Sequence, residues 1–452
     1  MEKQRYERPV IKRITTGLMN KFGLRTDNEP MNTIEGIPVS SLIDDYGSPL
    51  FVLSEKQLRK NIRNAVRIFS TRYPRVQFAW SYKTNYLGAV CNIFHQEGSW
   101  AEVVSGFEYD KAISAGIPGN NIIFNGPDKT DQYLNTAAQN NSLIHIDNLD
   151  ELFSLSGICS KHNIKARVAV RVNMDTGIFP KWDRFGFNFE NGQAWNAIIR
   201  IMNDGNLILT GLHCHIGTFI LSPSAYSEAS SKLCQLALDV KRKYGKSLEY
   251  IDLGGGFPSV NTLKGAYLPG TDTIPSLDQF ADAITTTILN AGFRNEDLPV
   301  LILETGRALI DDAAFLIGTV MATKRLPDGR RATILDFGVN TLFTSFWYDH
   351  KVSPVQDSGE HTEDTTLFGP LCMNIDVIRE SINLPLLQKG SYVVVQRVGA
   401  YNMSQWMQFI TLRPNVVLID EKGKSQIIRS AETIEDLSMK ESMPEHLKNT
   451  RL

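Results

Sequence analysis

Short apolar runs alternate with longer amphipathic segments between residues 76 and 307. Runs of about four to eight apolar residues are typical of buried strands, and several here are too continuously apolar for a sheet with one face in water. The amphipathic segments between them, such as 108–115 and 227–244, predict helices. The runs end at Lys83, Ser105, Gly126, Asp147, Asn173, Gly217, Gly256 and Arg307. This alternation predicts an α/β fold, either a parallel (β/α)8 TIM barrel or a doubly wound sheet.

Polar residues and glycines lie mostly at the ends of these runs. Examples are Lys83, His215, the glycines 254–256, Glu304 and Arg307. In a barrel, the carboxyl ends of all strands form one rim, and active sites lie at that rim. The placement therefore favours the barrel, and we predict a barrel domain over residues 55–312.

Shorter alternating runs follow residue 313. Period-two alternation, with turn residues such as Pro-Asp-Gly at 327–329, is typical of antiparallel strands. The runs are ATILDFG, TTLFG, YVVVQRVG, WMQFITL, NVVLID and SQIIR. They predict a C-terminal antiparallel β domain over residues 313–432.

Three other segments do not follow either pattern. The N-terminal segment, 1–54, lacks the barrel alternation, so we expect it to pack elsewhere. The polar segment 355–365 predicts a mobile loop, and 433–452 predicts a charged, weakly ordered tail.

Composition and charge exclude several classes of protein. The 452 residues include 47 Lys+Arg and 49 Asp+Glu, a net charge of −2, so we expect no nucleic-acid or membrane partner. With 42% hydrophobic and 21% charged residues, the chain is an ordinary globular protein. Five scattered cysteines without a CxxC pair indicate a reducing cytoplasm. The start has no apolar h-region, and no run of about 20 apolar residues is present, so we expect a soluble, unexported protein.

Two of the strand ends carry residues suited to a phosphorylated cofactor. Lys83 ends an apolar strand, where partial desolvation would favour the neutral amine that forms a Schiff base, although a surface lysine is the simpler alternative. Glycines 254–256 follow the seventh run and would let backbone N–H groups approach a phosphate closely. Arg307 ends the eighth run beside them, at the habitual phosphate site of barrels.

The remaining strand-end groups leave alternatives open. His213 and His215 point to the same face of a strand, so they could bind a metal with His145 or acids, or one could lie flat on a cofactor ring. We favour a site without metal. Glu304 needs a cationic partner at the end of its apolar strand, and either Arg307 or a protonated ring nitrogen would serve.

The motifs SYKTN, AEVVSGFE, HCHIGT, DLGGGF, ETGR, GPLC and GAY occur in this order. The set resembles the fold-type III pyridoxal-phosphate (PLP) decarboxylases, the diaminopimelate and ornithine decarboxylase family, from about residue 38 to 420. The resemblance implies a PLP-dependent α-decarboxylase of an amino acid or its derivative. It also implies a homodimer with shared sites, whose β domain takes in the N-terminal segment.

The resemblance further implies roles for individual residues. Lys83 would bind PLP covalently, His215 would stack on its ring, and Glu304 would pair with the ring nitrogen and favour decarboxylation over racemisation. Arg307 would contact the phosphate or the substrate carboxylate, and Tyr348 the substrate. The implied phosphate-binding residues are Thr218, Gly254, Gly255, Gly256 and Tyr401. Cys372 would reach the partner's site and act in protonation after CO₂ leaves.

Substrate positions depart from the family pattern. Met373 follows Cys372 where relatives carry an acid for the distal ammonium, and Thr344 lies near where diaminopimelate decarboxylases carry an arginine. Thr305 in ETGR resembles relatives in antibiotic or siderophore biosynthesis. We expect a substrate with an uncharged, acylated or carrier-linked distal end, unless an acid of the 355–365 loop takes over. The alternatives are diaminopimelate decarboxylase itself, a barrel metallohydrolase, or a non-catalytic partner-binding homologue.

Overall fold

Eight parallel strands close into a barrel in the computed structural model, which describes residues 29–266, 268–356 and 361–448. Each strand pairs with the next along the chain, and the eighth pairs with the first through Leu301 and Val76. The strands are Val76–Ser81, Trp100–Val103, Ile122–Phe124, Leu143–Ile146, Ala166–Asn173, Leu207–His213, Tyr250–Asp252 and Val300–Thr305. A two-residue strand, Phe187–Asn188, extends the fifth. All eight predicted strands and the predicted TIM barrel are confirmed.

Several helices around the barrel begin at side-chain caps and bury one apolar face. Ser54 accepts a hydrogen bond from the Gln57 N–H at 3.0 Å and starts a helix that buries Leu58, Ile62 and Phe69. The helices are Val39–Tyr46, Glu55–Ser70, Gly88–Gln96, Gly106–Ser114, Asp131–Gln139, Leu149–His162, Gln193–Asn203, Pro223–Tyr244, Gly270–Thr273, Leu277–Leu289, Arg307–Ile310 and Ile434–Ser438. Within the described ranges, none combines the length and the apolar character needed to span a membrane.

A second sheet forms the β domain. Its strands are Leu50–Ser54, Ala314–Arg325, Arg331–Leu335, Val352–Pro354, Thr362–Phe368, Val377–Pro385, Tyr392–Gln396, Asn415–Ile419 and Ser425–Arg429. Most pairings are antiparallel, as predicted, but 331–335 with 362–368 and 50–54 with 415–419 are parallel. The strand predicted at WMQFITL is wrong, because Ile410 has a φ of +64° there and only a single bridge forms.

The N-terminal segment contributes a strand to this sheet. Leu50–Ser54 lies between Ala314–Arg325 and Asn415–Ile419 and pairs with both. Its alternate side chains enter two apolar cores. Phe51 and Leu53 belong to the main core, which includes the helix Glu55–Ser70, while Leu50 and Val52 belong to a second core with Val417. Residues 1–28 lie outside the described part of the chain.

The predicted loop and tail correspond only partly to the structure. Thr362–Phe368 is a strand, so the mobile loop predicted at 355–365 is too long at its C-terminal end. Residues 357–360 lie outside the described part. The tail contains the short helix Ile434–Ser438, capped by Thr433, and is otherwise mostly exposed up to residue 448.

Strand alternation divides the barrel interior into an apolar and a polar layer. Ala79, Ile123, Leu143, Ala169, Tyr250 and Ile302 form the apolar layer. Side chains two residues further along a strand share its face, which places polar groups directly above. The polar layer comprises Ser81, Asn125, His145, Arg171, Asp252 and Glu304 at these positions, together with Glu102 and His213. The active-site rim therefore lies on a buried polar floor.

Candidate active site

Hydrogen bonds link three side chains of the polar layer, Glu102, Asn125 and Glu304, across the barrel interior. The Asn125 amide donates to Glu102 Oε1 at 3.0 Å and to Glu304 Oε1 at 2.6 Å. Glu102 and Glu304 are almost completely buried. A neutral amide thus holds two carboxylates in fixed positions without cancelling their charge.

Lys83 lies in a 3-10 turn, Tyr82–Thr84, directly after the first barrel strand. Its amine donates a hydrogen bond to Glu102 Oε2. Burial opposes the charged form of Lys83, but the charges of Glu102 and Glu304 outweigh burial and raise the pKa of the amine. The expectation that Lys83 loses part of its preference for the charged form is therefore wrong for the chain alone, because it ignored these carboxylates.

Glu304 lies one residue before the end of the eighth strand, and the groups around it are held in their neutral forms. Burial and the charge of Glu304 raise the pKa of the neighbouring Asp252 carboxyl well above its usual range. Besides Asn125, His213 Nε2 lies 3.5 Å from Oε2 and His145 Nδ1 lies 3.9 Å from Oε1. Burial lowers the pKa of both imidazoles well below the usual range, so both are neutral. Among the described residues, Glu304 forms no ion pair with a Lys or Arg. Of the two partners predicted for Glu304, Arg307 is thus ruled out.

Arg307 instead lies in an aromatic cluster between the two domains. Its guanidinium donates to the Tyr348 hydroxyl and lies 4.7 Å from the centre of the Tyr401 ring. Phe219 and Trp347 also lie within 6 Å of it. Arg307 and Tyr348 are buried, so the cluster presents a fixed cation beside the rim.

Tyr401 belongs to the β domain but lies against the barrel of its own chain. Its N–H donates to the Thr84 carbonyl at 2.9 Å, next to Lys83, and its φ is +61°. Asp311 fastens this segment, since its carboxylate accepts from the Ala400 N–H at 2.9 Å and from Ser259 at 2.5 Å. Burial raises the pKa of Asp311 to about 6, although Arg307 opposes the rise.

His215 and the glycine loop follow the sixth and seventh barrel strands, and the loop packs against Glu304 of the eighth. The imidazole Nδ1 accepts from the Gly255 N–H at 3.1 Å, and its ring lies 5.3 Å from that of Trp182. Burial, assisted by nearby cations, lowers the pKa of His215 to about 3, so the ring is neutral. A Cβ at Gly254 would lie 2.6 Å from the Cys214 carbonyl, and one at Gly256 2.5 Å from the Gly217 carbonyl. Only glycine fits this tight loop, and Thr218 is exposed beside it.

The two histidines of the HCH motif, His213 and His215, have different neighbours. His213 packs against His145, with ring centres 4.6 Å apart, while His215 faces Trp182 and Gly255. The described residues contain one group of metal-binding type, His145, His213 and Glu304, and it does not include His215. Because Glu304 is shared with the rim site, this group is part of the same polar floor.

Cys372 and Met373 belong to the β domain, between its strands Thr362–Phe368 and Val377–Pro385. They occupy a β-domain loop held by Asp376, whose carboxylate accepts from the N–H groups of Leu371 and Val339, each at 2.8 Å. Cys372 is exposed and Met373 half-buried. No hydrogen bond in the described part of the chain joins Cys372 to the barrel.

The sequence reasoning missed several residues of the site. No role was assigned to Glu102, Asn125, Arg171, Asp252, Asp311 or Trp182. Most of these occupy inward positions two residues after an apolar inward residue, so strand alternation could have identified them. Asp311 lies in a short 3-10 turn and Trp182 in a loop, where no periodic signal exists.

A closed parallel barrel with a lysine, a buried acid and a glycine loop on one rim defines a class of cofactor-dependent barrel enzyme. The family model described as "Pyridoxal-dependent decarboxylase, pyridoxal binding domain" matches residues 59–311. The chain therefore belongs to the pyridoxal-dependent decarboxylases, and it is a carboxy-lyase whose cofactor is pyridoxal 5'-phosphate.

Similar proteins include named diaminopimelate decarboxylases. That of Methanocaldococcus jannaschii is 29% identical over 432 residues, 92% of this chain and 95% of its own. That of Bacillus subtilis is 27% identical over 419 residues, 89% and 93% of the two chains. The crystal structure of the M. jannaschii enzyme superimposes with a TM-score of 0.85 at 28% identity, covering 93% of this chain and 98% of that one. A second structure of that enzyme, in complex with L-lysine, has a TM-score of 0.84 at 28% identity, covering 94% and 100%.

The residues at the rim fit PLP. The side chain of Lys83 is about one third exposed, so its amine is accessible from the cleft. The glycine loop allows backbone N–H groups to approach a phosphate, and Glu304 presents a carboxylate that no Lys or Arg of the described chain neutralises.

Proposed function

We propose that Lys83 binds PLP covalently, that His215 contacts its ring, and that Glu304 pairs with its ring nitrogen. Residues 254–256, Thr218 and Tyr401 would bind the phosphate, and Arg307 the phosphate or the substrate carboxylate. Bound PLP supplies the electron sink that makes loss of CO₂ from an α-amino acid possible. The observation that carries this assignment is the buried Glu304 carboxylate, because its surroundings orient it without neutralising it.

We further propose that the distal end of the substrate carries no free ammonium group. Met373 offers no charge where relatives carry an acid, and burying an unpaired cation costs several kcal/mol, roughly a thousandfold in selectivity. A substrate with an uncharged, acylated or carrier-linked end avoids this cost. Together with Thr305, this supports a biosynthetic reaction, in a secondary-metabolite or siderophore pathway. The free cysteines support a cytoplasmic location.

The contacts of the 355–365 segment support this specificity. Glu363 pairs with Arg325 at 2.8 Å and with Arg331 at 3.3 Å, and Asp364 accepts from the Ser381 hydroxyl at 2.6 Å. These acids are thus engaged within their own domain. Asp357 and Glu360 lie outside the described part.

Decarboxylation of diaminopimelate is the second candidate. It is favoured by the relatives at 25–29% identity that carry this name. It requires another residue to bind the distal ammonium in place of an acid at Met373.

We also propose a homodimer with shared sites. Cys372 is exposed on its β-domain loop, and exposed apolar residues lie on that loop and on a neighbouring one. Ile375 is 54% exposed, Phe409 42% and Ile410 57%, and their two loops flank the same segment, 338–341. An exposed apolar patch of this kind is typical of a subunit interface. In such a dimer, Cys372 and Met373 would lie at the active-site rim of the partner subunit's barrel.

The reaction and its specificity can be tested on the purified protein. We expect a yellow enzyme, and borohydride reduction followed by peptide mapping should find the cofactor on Lys83. A protein that neither contains nor takes up PLP would refute the assignment of the rim residues. CO₂ release should be measured with meso-diaminopimelate, lysine, ornithine and amino acids whose distal amine is acylated or absent.

The outcome separates the two candidate substrates. A kcat/KM of roughly 10⁴ M⁻¹s⁻¹ or more for diaminopimelate, lysine or ornithine would show that Met373 does not set the specificity. Met373→Glu should increase turnover of these diamino substrates, while the uncharged control Met373→Gln should not.

A further inference from the structure

His213 is a buried group of the HCH motif to which the proposed reaction assigns no role. It ends the sixth barrel strand and is 1% exposed. Neither of its ring nitrogens has a hydrogen-bond partner within the described chain. Buried polar atoms without partners are uncommon, so this side chain requires an explanation.

The nearest acceptor to His213 is the carboxylate assigned to the cofactor. His213 Nε2 lies 3.5 Å from Glu304 Oε2, while Asn125 already occupies Oε1 at 2.6 Å. The two oxygens of Glu304 are therefore approached by two different neutral groups from two different strands. A distance of 3.5 Å is at the outer limit of a hydrogen bond.

The surroundings of His213 fix its ring. His145 packs on one face, with ring centres 4.6 Å apart, and is itself bonded through Nε2 to the Tyr250 hydroxyl at 3.1 Å. Gly211 makes room for Tyr250, because a Cβ there would lie 2.5 Å from its ring. The three rings pack in a row across the barrel, so His213 has little freedom to turn away from Glu304.

We propose that His213 is a positioning residue that donates its Nε2–H to Glu304 and, with Asn125, holds the carboxylate in the orientation that serves the cofactor. This inference rests on the proposed pairing of Glu304 with PLP. The neutrality of the ring is essential to it. Burial, reinforced by the charge of Arg171, lowers the pKa of His213 well below its usual range. A cation at this position would neutralise Glu304, whereas a neutral donor orients it and leaves its charge available.

The test replaces His213 by two amide side chains of different length, Gln and Asn. Gln places its amide nitrogen near the position of His Nε2, and Asn, one methylene shorter, cannot reach Glu304. The dissociation constant of PLP is measured by equilibrium dialysis of apoenzyme for wild type, His213→Gln, His213→Asn and Glu304→Gln. The two histidine substitutions are also measured in the Glu304→Gln background, and thermal melting verifies that each variant folds.

We expect His213→Gln to bind PLP within about threefold of wild type and His213→Asn roughly tenfold more weakly. In the Glu304→Gln background the two should be equal, because the acceptor has lost its charge. Equal weakening by Asn and Gln in the wild-type background would overturn the inference, as would a Gln–Asn difference that persists without Glu304. If Glu304→Gln alone leaves PLP binding unchanged, the proposed function fails instead.

The same purified protein also tests whether His145, His213 and Glu304 bind a metal ion instead. Elemental analysis of purified wild type should find no stoichiometric divalent metal. Bound zinc that is lost in both His213→Gln and His213→Asn would overturn the inference, since the ring would then be a metal ligand rather than a donor.

Discussion

The carboxylate of Glu102 accepts a hydrogen bond from the amine of Lys83 at the rim of the barrel. Glu102 lies on the second strand and Lys83 just after the first, so the pairing of these two neighbouring strands brings the two side chains together. Lys83 is thereby kept protonated in the chain alone, and it must release a proton before it can act as a nucleophile.

Replacing Glu102 should change the pH at which Lys83 captures PLP. Glu102→Gln removes the charge that raises the pKa of Lys83 and leaves burial, which lowers it, so the neutral amine becomes available at lower pH. The rate of PLP uptake by apoenzyme, followed by absorbance, should move at least about one pH unit toward acid. Glu102→Asp keeps the charge and is the matched control. If the pH profile of PLP uptake is the same in Glu102→Gln as in wild type, Glu102 does not set the pKa of Lys83, and Glu304 and Tyr401 are sufficient to raise it.

Glu108 makes stability depend on pH. It is buried, its carboxylate accepts from the Val104 N–H at 2.8 Å, and burial raises its pKa to about 7. The unfolded chain loses this proton near pH 4.5, so stability falls as the pH rises from about 4.5 to 7. Glu108→Gln should therefore be more stable than wild type by about 1–3 kcal/mol at pH 8 and nearly equal to it at pH 4.5. Urea unfolding at both pH values measures this, and the same difference at both would contradict it.

Asp311 should control cofactor affinity through the segment of Tyr401. Asp311→Ala removes the acceptor for Ala400, Ser259 and Asn261, which should cost about 2–4 kcal/mol of stability and weaken PLP binding. Asp312→Ala is the matched control, since Asp312 accepts from Gln57 and Asn61 on the far side of the helix turn. The control should lose stability but keep its PLP affinity. Equal PLP affinities of the two variants would contradict the role of Asp311.

The shared-site proposal predicts complementation between inactive variants. Lys83→Ala and Cys372→Ala should each be inactive. If subunits exchange randomly, half of the dimers are mixed and each has one intact site, so about a quarter of wild-type activity returns. Subunit exchange is verified with differently tagged chains. Exchange without recovered activity would show that Cys372 does not serve the partner's site.

The barrel was predictable from sequence because its signal is local and repeated. Each strand is a short apolar run, and its position in the barrel follows from chain order alone. The β domain was less predictable. The strand 314–325 is buried at its start and exposed from Met321, so no single hydrophobic period describes it. The segment WMQFITL has the alternating pattern of a strand but pairs with no other strand.

The same contrast holds for the site. Lys83, His215 and Glu304 were identified because each stands at the end of an apolar strand. The charge state of Lys83 and the partner of Arg307 could not be predicted in this way, since both depend on residues that the folded chain brings close: Glu102 from the neighbouring strand for the first and Tyr348 from the β domain for the second. Pairwise electrostatics require distances that a sequence pattern does not contain.

The position of Leu50–Ser54 in the β domain has a consequence for synthesis on the ribosome. This strand leaves the ribosome before the whole barrel, but both of its sheet neighbours, Ala314–Arg325 and Asn415–Ile419, follow the barrel. Its unpaired edges and its Val52 face are exposed while the barrel is made, as a ready template for other chains. Completion of the β domain is thus the step at which the nascent enzyme stops being vulnerable to aggregation, and deletions that remove 415–419 would make that vulnerability permanent.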